Sequence, residues 1–385
     1  MKTNLKKLLY SGVTLMSLGV LAACSSTSSS TTTASSAATS QTSVATTSNN
    51  STSSDSSSSS IDWSALPTTE VTLSNDGLKI TEGGTYILTG STTAGVTVET
   101  DANVRIILAG VEISSSDTAA INVINADNVE LEIKDGTTNT VKDTSNHTDT
   151  NIEGAIHVEA DLTITGNGSL TVEGNFQDGI VSTDDLVVNS GNITVTAVDD
   201  GIRGKDSLTI NGGTINVTAG GDGIKSTNDT DTTKGYTTIT GGEITVKAGD
   251  DGIKAETALT IDGGTITVSE SAEALEGTNI TINGGTLDVY GSDDAINASS
   301  TTSSDIYIKV TGGDLKVAVG SGDTDAFDAN GDIYISGGTI AVTAPTSAFD
   351  FDGTAELTGG TVTVNGEQIT QITATGPGAG GHGGW

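Results

Sequence analysis

The sequence predicts an all-β fold: a single-stranded parallel β-helix, or β-solenoid, of about 21–22 residues per coil over residues 61–370. Three observations predict it. Paired glycines recur at Gly212-Gly213, Gly241-Gly242, Gly263-Gly264, Gly284-Gly285, Gly312-Gly313, Gly337-Gly338 and Gly359-Gly360. Several of the intervals are 21 or 22 residues, and those of 25 to 29 fit the same unit with an inserted loop. Apolar residues beside each pair alternate at period two, as in Leu208 and Ile210 or Ile215 and Val217, which is the strand signature. An acidic residue followed by Gly-Ile, Ala-Leu, Ala-Ile or Ala-Phe then closes each copy at a similar offset, as Asp222-Gly223-Ile224 does.

A leucine-rich repeat has a similar period, but leucine is sparse and no segment has helical periodicity. A β-sandwich or up-and-down barrel explains the Thr and Val content but not the fixed offsets of glycine pairs and acidic corners. At about 3.3 Å per residue, one 22-residue unit traces a loop of ~70 Å. That length encloses a narrow core and returns the chain one strand spacing higher. The spacing predicts three short strands per coil, at 207–210, 214–218 and 223–225 in the cleanest copy. Inward Ile, Val and Leu then stack between coils, so the array is stable although one coil is not. The glycine pair suits a corner where positive φ or close backbone approach excludes a side chain.

Taken in order, the chain opens with Lys2, Lys6 and Lys7, an apolar run from Leu8 to Leu21, and then Ala22-Ala23-Cys24. Residues 1–23 resemble a bacterial lipoprotein signal peptide, with Cys24 as the lipidation site; the run is short for a spanning helix. Cys24 is the single cysteine, so neither an intramolecular disulfide nor a cysteine metal site is available. Residues 24–60 are almost entirely Ser, Thr and Ala. Such a composition cannot bury enough apolar surface to order itself, and it reads as a tether. Strand candidates follow at 71–73, 86–88, 96–98 and 104–108, and the 61–90 segment is the expected cover of the first coil. Ala120-Ile121 and Ala155-Ile156 resemble the later corners. Polar stretches at 134–153 (with His147), 226–235 and 298–304 are expected to leave the solenoid as loops; the last two start just after an acidic corner and so project on one side. Residues 371–385, with His382, form a Gly-rich tail expected to be disordered.

The formal net charge is −34, from 49 acidic and 15 basic residues. That excludes the electrostatic footprint of a nucleic-acid binder and disfavours direct adsorption to an anionic membrane. In a β-helix, Asp178, Asp200, Asp222, Asp251, Glu273, Asp294 and Asp325 form a file with neighbours about 4.8 Å apart. Asp199, Asp250 and Asp293 thicken it. Carboxylates at that spacing disfavour joint ionisation. Arg203, Lys225 and Lys254, each following a corner Ile, relieve part of the file, whereas Asn297 and Asp328 stand there in later copies. Ca²⁺, which takes several carboxylate and carbonyl oxygens at flexible geometry, is the expected remaining partner. Neither an EF-hand nor a calcium-binding nonapeptide repeat is present.

Three scattered histidines support no Ser-His-Asp arrangement, and the glycine pairs recur as corners rather than as a nucleotide-binding loop. A calcium-assisted lyase using Arg203, Lys225 or Lys254 as base is conceivable, but basic residues that recur coil after coil read first as charge compensation. A flat ice-binding Thr-x-Thr array fails where Thr286/Asp288 and Asp314/Lys316 interrupt it. For a sugar, exposed aromatics matter. Tyr290, Tyr307 and Tyr334 occupy outward strand positions, while Phe327, Phe349 and Phe351 are expected inside.

The lipoprotein-like leader, the Ser/Thr tether, the Leu-x-Ile-x-Gly-Gly-x-Ile-x-Val copies and the corners Asp200-Gly-Ile202, Asp222-Gly-Ile224 and Asp251-Gly-Ile253 together resemble a family of bacterial extracellular carbohydrate-binding domain-containing proteins. It includes a clostridial β-helical protein that binds cellulose and pectin-type polysaccharides. The resemblance covers roughly 62–365 and implies a right-handed parallel β-helix, calcium at these corners, and polysaccharide binding rather than cleavage. The sequence departs from the corner pattern at Glu273-Ala-Leu275 and Ser347-Ala-Phe349. The expectation is a lipid-anchored protein on the outer face of the cell membrane that binds an extracellular or cell-wall polysaccharide, pectin-like or cellulose-like, with Ca²⁺. A structural adhesin or spacer is the alternative. No oligomeric state is indicated.

Overall fold

The structure, a computed structural model, describes residues 61–375 except Asp323; Cys24, the expected tether and His382 lie outside the described residues. The described strands wind as a β-helix of three parallel sheets. In the reference copy the first sheet takes Ser207–Ile210, the second Thr214–Ala219 and the third Ile224–Ser226. Each strand pairs in parallel with its equivalent in the next coil. Leu208 lies opposite Thr237, Ile215 opposite Ile244, and Ile224 opposite Ile253. The three strands match the periodicity to within a residue or two, because alternation fixes which side chains can face a core too narrow for polar groups.

That core is a continuous stack of aliphatic residues running from Leu73 to Val362 and Ile372. Ile202, Ile224, Ile253, Leu275 and Ile296 follow one another on the third sheet, and Phe327 and Phe349 then replace them, stacked with ring centroids 5.2 Å apart. Phe351 is half-buried against the same core. The second glycine of each pair has φ between +80° and +99° across Gly213, Gly242, Gly264, Gly285, Gly313, Gly338 and Gly360. The first sits against the coil below: a Cβ on Gly241 would lie 2.7 Å from the Asn211 carbonyl oxygen. Both reasons for a glycine corner therefore operate, one at each position.

The stretch expected to loop out over 134–153 is shorter than the sequence implies. Thr138–Lys142 is a second-sheet strand, with Thr140 opposite Thr171. Asn139 takes an inward position there, fully buried, where an aliphatic residue is usual. Its Oδ1 accepts from the Gly110 and Val111 amides at 2.9 and 3.1 Å, and its Nδ2 donates to the Ser169 carbonyl. A satisfied buried amide replaces hydrophobic burial, which an apolar pattern cannot detect. The true excursion, 143–153, is pinned by His147. Its ring stacks on Phe176 at 4.3 Å, its Nε2 lies 2.9 Å from Asp143 Oδ2, and its Nδ1 is 2.5 Å from the Ile152 carbonyl.

At one end, a short 3-10 turn Trp63–Ala65 leads into Thr68–Leu73, which pairs with Gly84–Thr92. At the other, Glu367–Ile369 turns back antiparallel on Thr361–Val364. The chain then stays packed through Thr375, past the end expected at residue 370: the Thr375 amide donates to the Phe349 carbonyl and its Oγ1 accepts from the Ala348 amide.

Candidate functional site

The acidic corners stack as one column at the edge of the third sheet. In the first part of the column each carboxylate holds the next coil. The Asp200 amide donates to Asp178 Oδ1 at 3.1 Å, the Asp222 amide to Asp200 Oδ1 at 2.9 Å, and the Asp251 amide to Asp222 Oδ1 at 2.9 Å. Asp325 donates to Asp294 Oδ1 in the same way at 2.7 Å. The following glycine or alanine amide donates to the neighbouring acid's carbonyl, as Gly201 does to Asp222. Asp178, Asp200, Asp222 and Asp251 are buried by this arrangement, whereas Asp199, Asp250 and Asp293 are exposed beside them.

A second outward column runs next to the first on the third sheet. Its register is His157, Val181, Arg203, Lys225, Lys254, Glu276, Asn297, Asp328 and Asp350. Over the first coils it neutralises the corners. Arg203 bonds Asp178 Oδ2 at 2.9 Å through Nε and pairs with Glu153. Lys225 Nζ lies 2.6 Å from Asp200 Oδ2 and 2.9 Å from Asp222 Oδ2. Lys254 lies 2.7 Å from Asp251 Oδ2 and also pairs with Glu276. Burial opposes charge on Arg203, Lys225 and Lys254, but the carboxylates around them outweigh it and hold all three more firmly protonated than usual.

Burial outweighs Arg203 at Asp178 and pushes that carboxyl up to about 6. Beyond Lys254 the second column turns acidic, and no lysine or arginine on either column offsets burial. Burial pushes the Asp294 carboxyl up to about 6, with Asp293, Asp325 and Asp350 adding repulsion. Asp328 is pushed up to about 7 by burial and then by Asp294, Asp325, Asp350 and Asp352. The boundary is a nest of three acids. Among the described residues no hydrogen-bond donor reaches the buried Asp251 Oδ1, and Glu273 and Glu276 crowd it. Burial and then Asp251 push both glutamates upward. Burial also opposes charge on Asp251, yet contacts with Glu276, Glu273 and Lys254 keep it lowered. One oxygen each from Asp222, Asp250 and Asp251 also lies within 4.8 Å of the others. An orphaned buried carboxylate oxygen among hard oxygen donors fits a cation of the calcium type.

Glu276 and Asp350 are the acids that sequence reasoning missed, and Asp328 was read only as the place where basic residues run out. All three sit at the outward position after the corner, which a corner motif does not cover. The three tyrosines are not brought together. Tyr290 lies on the second sheet opposite Ala318, while Tyr307 and Tyr334 lie on the first. Tyr307 stands opposite Asp332, and Tyr334 opposite Lys309 with its hydroxyl donating to Asp332 Oδ2 at 2.7 Å. An exposed aromatic that was passed over is Tyr236, which opens the first-sheet strand after the 226–235 excursion.

Comparison with known proteins agrees with this architecture. A carbohydrate-binding domain-containing protein of Acetivibrio thermocellus is 33% identical over 135 residues, which is 33% of this chain and 47% of that relative. The chain thus spans about half the length of that relative. A solved polysaccharide lyase-like protein from C. thermocellum, studied as a gadolinium derivative, superposes with a TM-score of 0.51 at 34% identity, covering 56% of this chain and 87% of the other. Residues 74–326, which contain all but the end of the acidic column, match the family of carbohydrate-binding domain-containing proteins, and the chain belongs to that family.

Proposed function

We propose that this is a lipid-anchored surface protein that binds an extracellular or cell-wall polysaccharide, without cleaving it, through calcium held on the later coils of the third sheet. The observation that carries the reading is the set Glu273, Asp294, Asp325, Asp328 and Asp350, with Glu276 at its edge: past Lys254, which pairs with Glu276, no lysine or arginine stands on either column, and Asn297 and Ser347 are the neutral interruptions. A divalent cation relieves that crowding and leaves coordination positions for sugar hydroxyls or carboxylates. An anionic polysaccharide such as a pectin-like polyuronate needs such a bridge to approach a chain of net charge −34. The family and the apolar run ending at Cys24 support the partner and the anchor. Retention of the protein on immobilised pectin and cellulose, with Ca²⁺ and with EGTA, tests the bridge. Retention only with calcium is expected, and equal retention in both removes it.

The polysaccharide lyase-like neighbour favours a second reading, a calcium-dependent lyase. A base must be free to accept a proton, and Lys225 and Lys254 are held charged between carboxylates. Polygalacturonate incubated with the protein and Ca²⁺ is therefore expected to give no rise in ultraviolet absorbance from unsaturated product. A steady rise would establish the lyase instead.

A further inference from the structure

Two excursions frame a cleft that meets the second column only at its rim, at Lys254 and Glu276. Ile224–Ser226 and Ile296–Ala298 each reach the first sheet through a long projecting segment, arriving at Tyr236–Ile239 and Tyr307–Val310. The two coils between them turn from the third sheet to the first without leaving the surface, as the continuous strands Ile253–Ile261 and Leu275–Ile282. The order long, short, short, long builds two walls three coils apart, ~14 Å at about 4.8 Å per coil, above a low floor.

Register shows why the floor is low. Tyr236 stands one position before Thr237, which pairs with Leu259; Ala258 pairs with Asn279, and Asn279 with Tyr307. One outward row therefore reads Tyr236, Ala258, Asn279, Tyr307, with two aromatics bracketing two small side chains. Adjoining cavities of about 470 and 410 Å³ occupy the space and share Glu256, Thr278 and Ser300. Both walls are set by their own hydrogen bonds. Asn228 Oδ1 accepts from the Thr230 and Asp231 amides at 3.2 and 3.0 Å, while Asn228 Nδ2 and Lys234 both bond Asp206. Opposite, Ser300 Oγ accepts from the Thr302 and Ser303 amides at 3.2 and 3.1 Å.

We propose that this cleft is a second glycan site, independent of metal, that takes one or two uncharged pyranose residues lying across the coils, such as a chain end or a side branch. Tyr236, 37% exposed, supplies the face on which a sugar ring stacks. Glu256 and Asp229 line the same space and enter no ion pair among the described residues, so they are available to accept from sugar hydroxyls. Among the described residues lining the two cavities the cation is Lys254, already held by Asp251 and Glu276. An anionic sugar meets carboxylates with no free counter-charge, which selects for uncharged rings. The walls bar a polymer from running along the helix axis, which selects for a terminus or branch. The inference rests on the glycan reading of the family but not on its calcium.

The test is titration of methyl β-glucoside, cellobiose and lactose, with galacturonate as the anionic comparison, against the full chain in EGTA, read by saturation-transfer NMR and calorimetry. Expected are binding of at least one neutral sugar without calcium, at least tenfold weaker binding by Tyr236→Ala and by Ala258→Phe, which fills the floor without removing a contact, and unchanged binding by Asp294→Asn. A calcium requirement, galacturonate binding as tightly as the neutral sugars, no binding of any neutral sugar, or indifference to both Tyr236→Ala and Ala258→Phe would each overturn it. Loss of calcium-dependent retention on pectin leaves these readouts untouched, so the two sites fail separately.

Discussion

The coils from Asp178 to Lys254 and those from Glu273 to Asp350 repeat one corner on one sheet, yet they handle its charge in opposite ways. In the first set an acid at the corner meets a base at the outward position one step on, and a glycine lies between. In the second set the outward base is gone and the glycine is replaced by Ala274, Ala295, Ala326 and Ala348. The difference teaches that the stacked acid is an architectural element first. Its carboxylate holds the next coil's amide at Asp178, Asp200 and Asp222 and again at Asp294, while the charge left over meets a basic side chain in one half and none on these columns in the other.

Four experiments break or sharpen this contrast. The largest effect is expected from Arg203→Ala, which strands Asp178, 3% exposed at its side chain, without its partner. Removing one member of a buried pair costs about 3–5 kcal/mol, read as a loss of stability in urea unfolding at pH 8. A gain or no change would remove the distinction between the halves. Next, Gly223→Ala places a Cβ 2.3 Å from Val246 Cγ1 and 2.6 Å from the Gly252 carbonyl oxygen. Overpacking of that kind costs about 1–3 kcal/mol, whereas Ala295→Gly in the other half is expected to cost about 1 kcal/mol or less.

The third experiment is a pH series. Asp294 and Asp328 have folded pKa values of about 6 and 7, raised from 3.8, so between pH 4 and 7 the folded state binds more protons than the unfolded one. Their contribution to stability is intact below the unfolded pKa and is lost as pH rises through 6 and 7. In EGTA the melting temperature is therefore expected to fall from pH 5 to pH 8, and Ca²⁺ to flatten the slope. A rising melting temperature would reverse the assignment. The smallest effect is Asp328→Asn, which removes repulsion from a partly solvated group. It is expected to raise stability at pH 8 in EGTA by under about 1 kcal/mol and to lower the number of bound calcium ions in a calorimetric titration.

Most of the fold was legible because β-helix coils repeat, and each copy corroborates the others. The glycine doublets mark corners and the Leu-x-Ile alternation marks inward positions, so the strands expected at 207–210 and 214–218 follow directly, the second running one residue further, to Ala219. The 138–142 strand was missed because Asn139 does an aliphatic residue's job by hydrogen bonding. The acidic column was legible from corner positions alone. Its neighbour was only half legible, since Glu276 and Asp350 belong to no recurring motif and matter through register across coils. Tyr236 escaped for a related reason: its surroundings come from two excursions far apart in sequence, and only loop lengths counted coil by coil reveal that they face each other.

The amide-to-carboxylate links along the column also bear on how such a chain can change length. From Asp178 to Asp251 each corner amide bonds the carboxylate of the coil before, so within that run a whole repeat can be duplicated or deleted without leaving a donor or acceptor stranded inside the stack. Substitution at a single corner has no such freedom, because it leaves the amide above it without its acceptor. Gain and loss of entire repeats is thus the least disruptive route by which this scaffold lengthens, shortens, or shifts its excursions relative to one another.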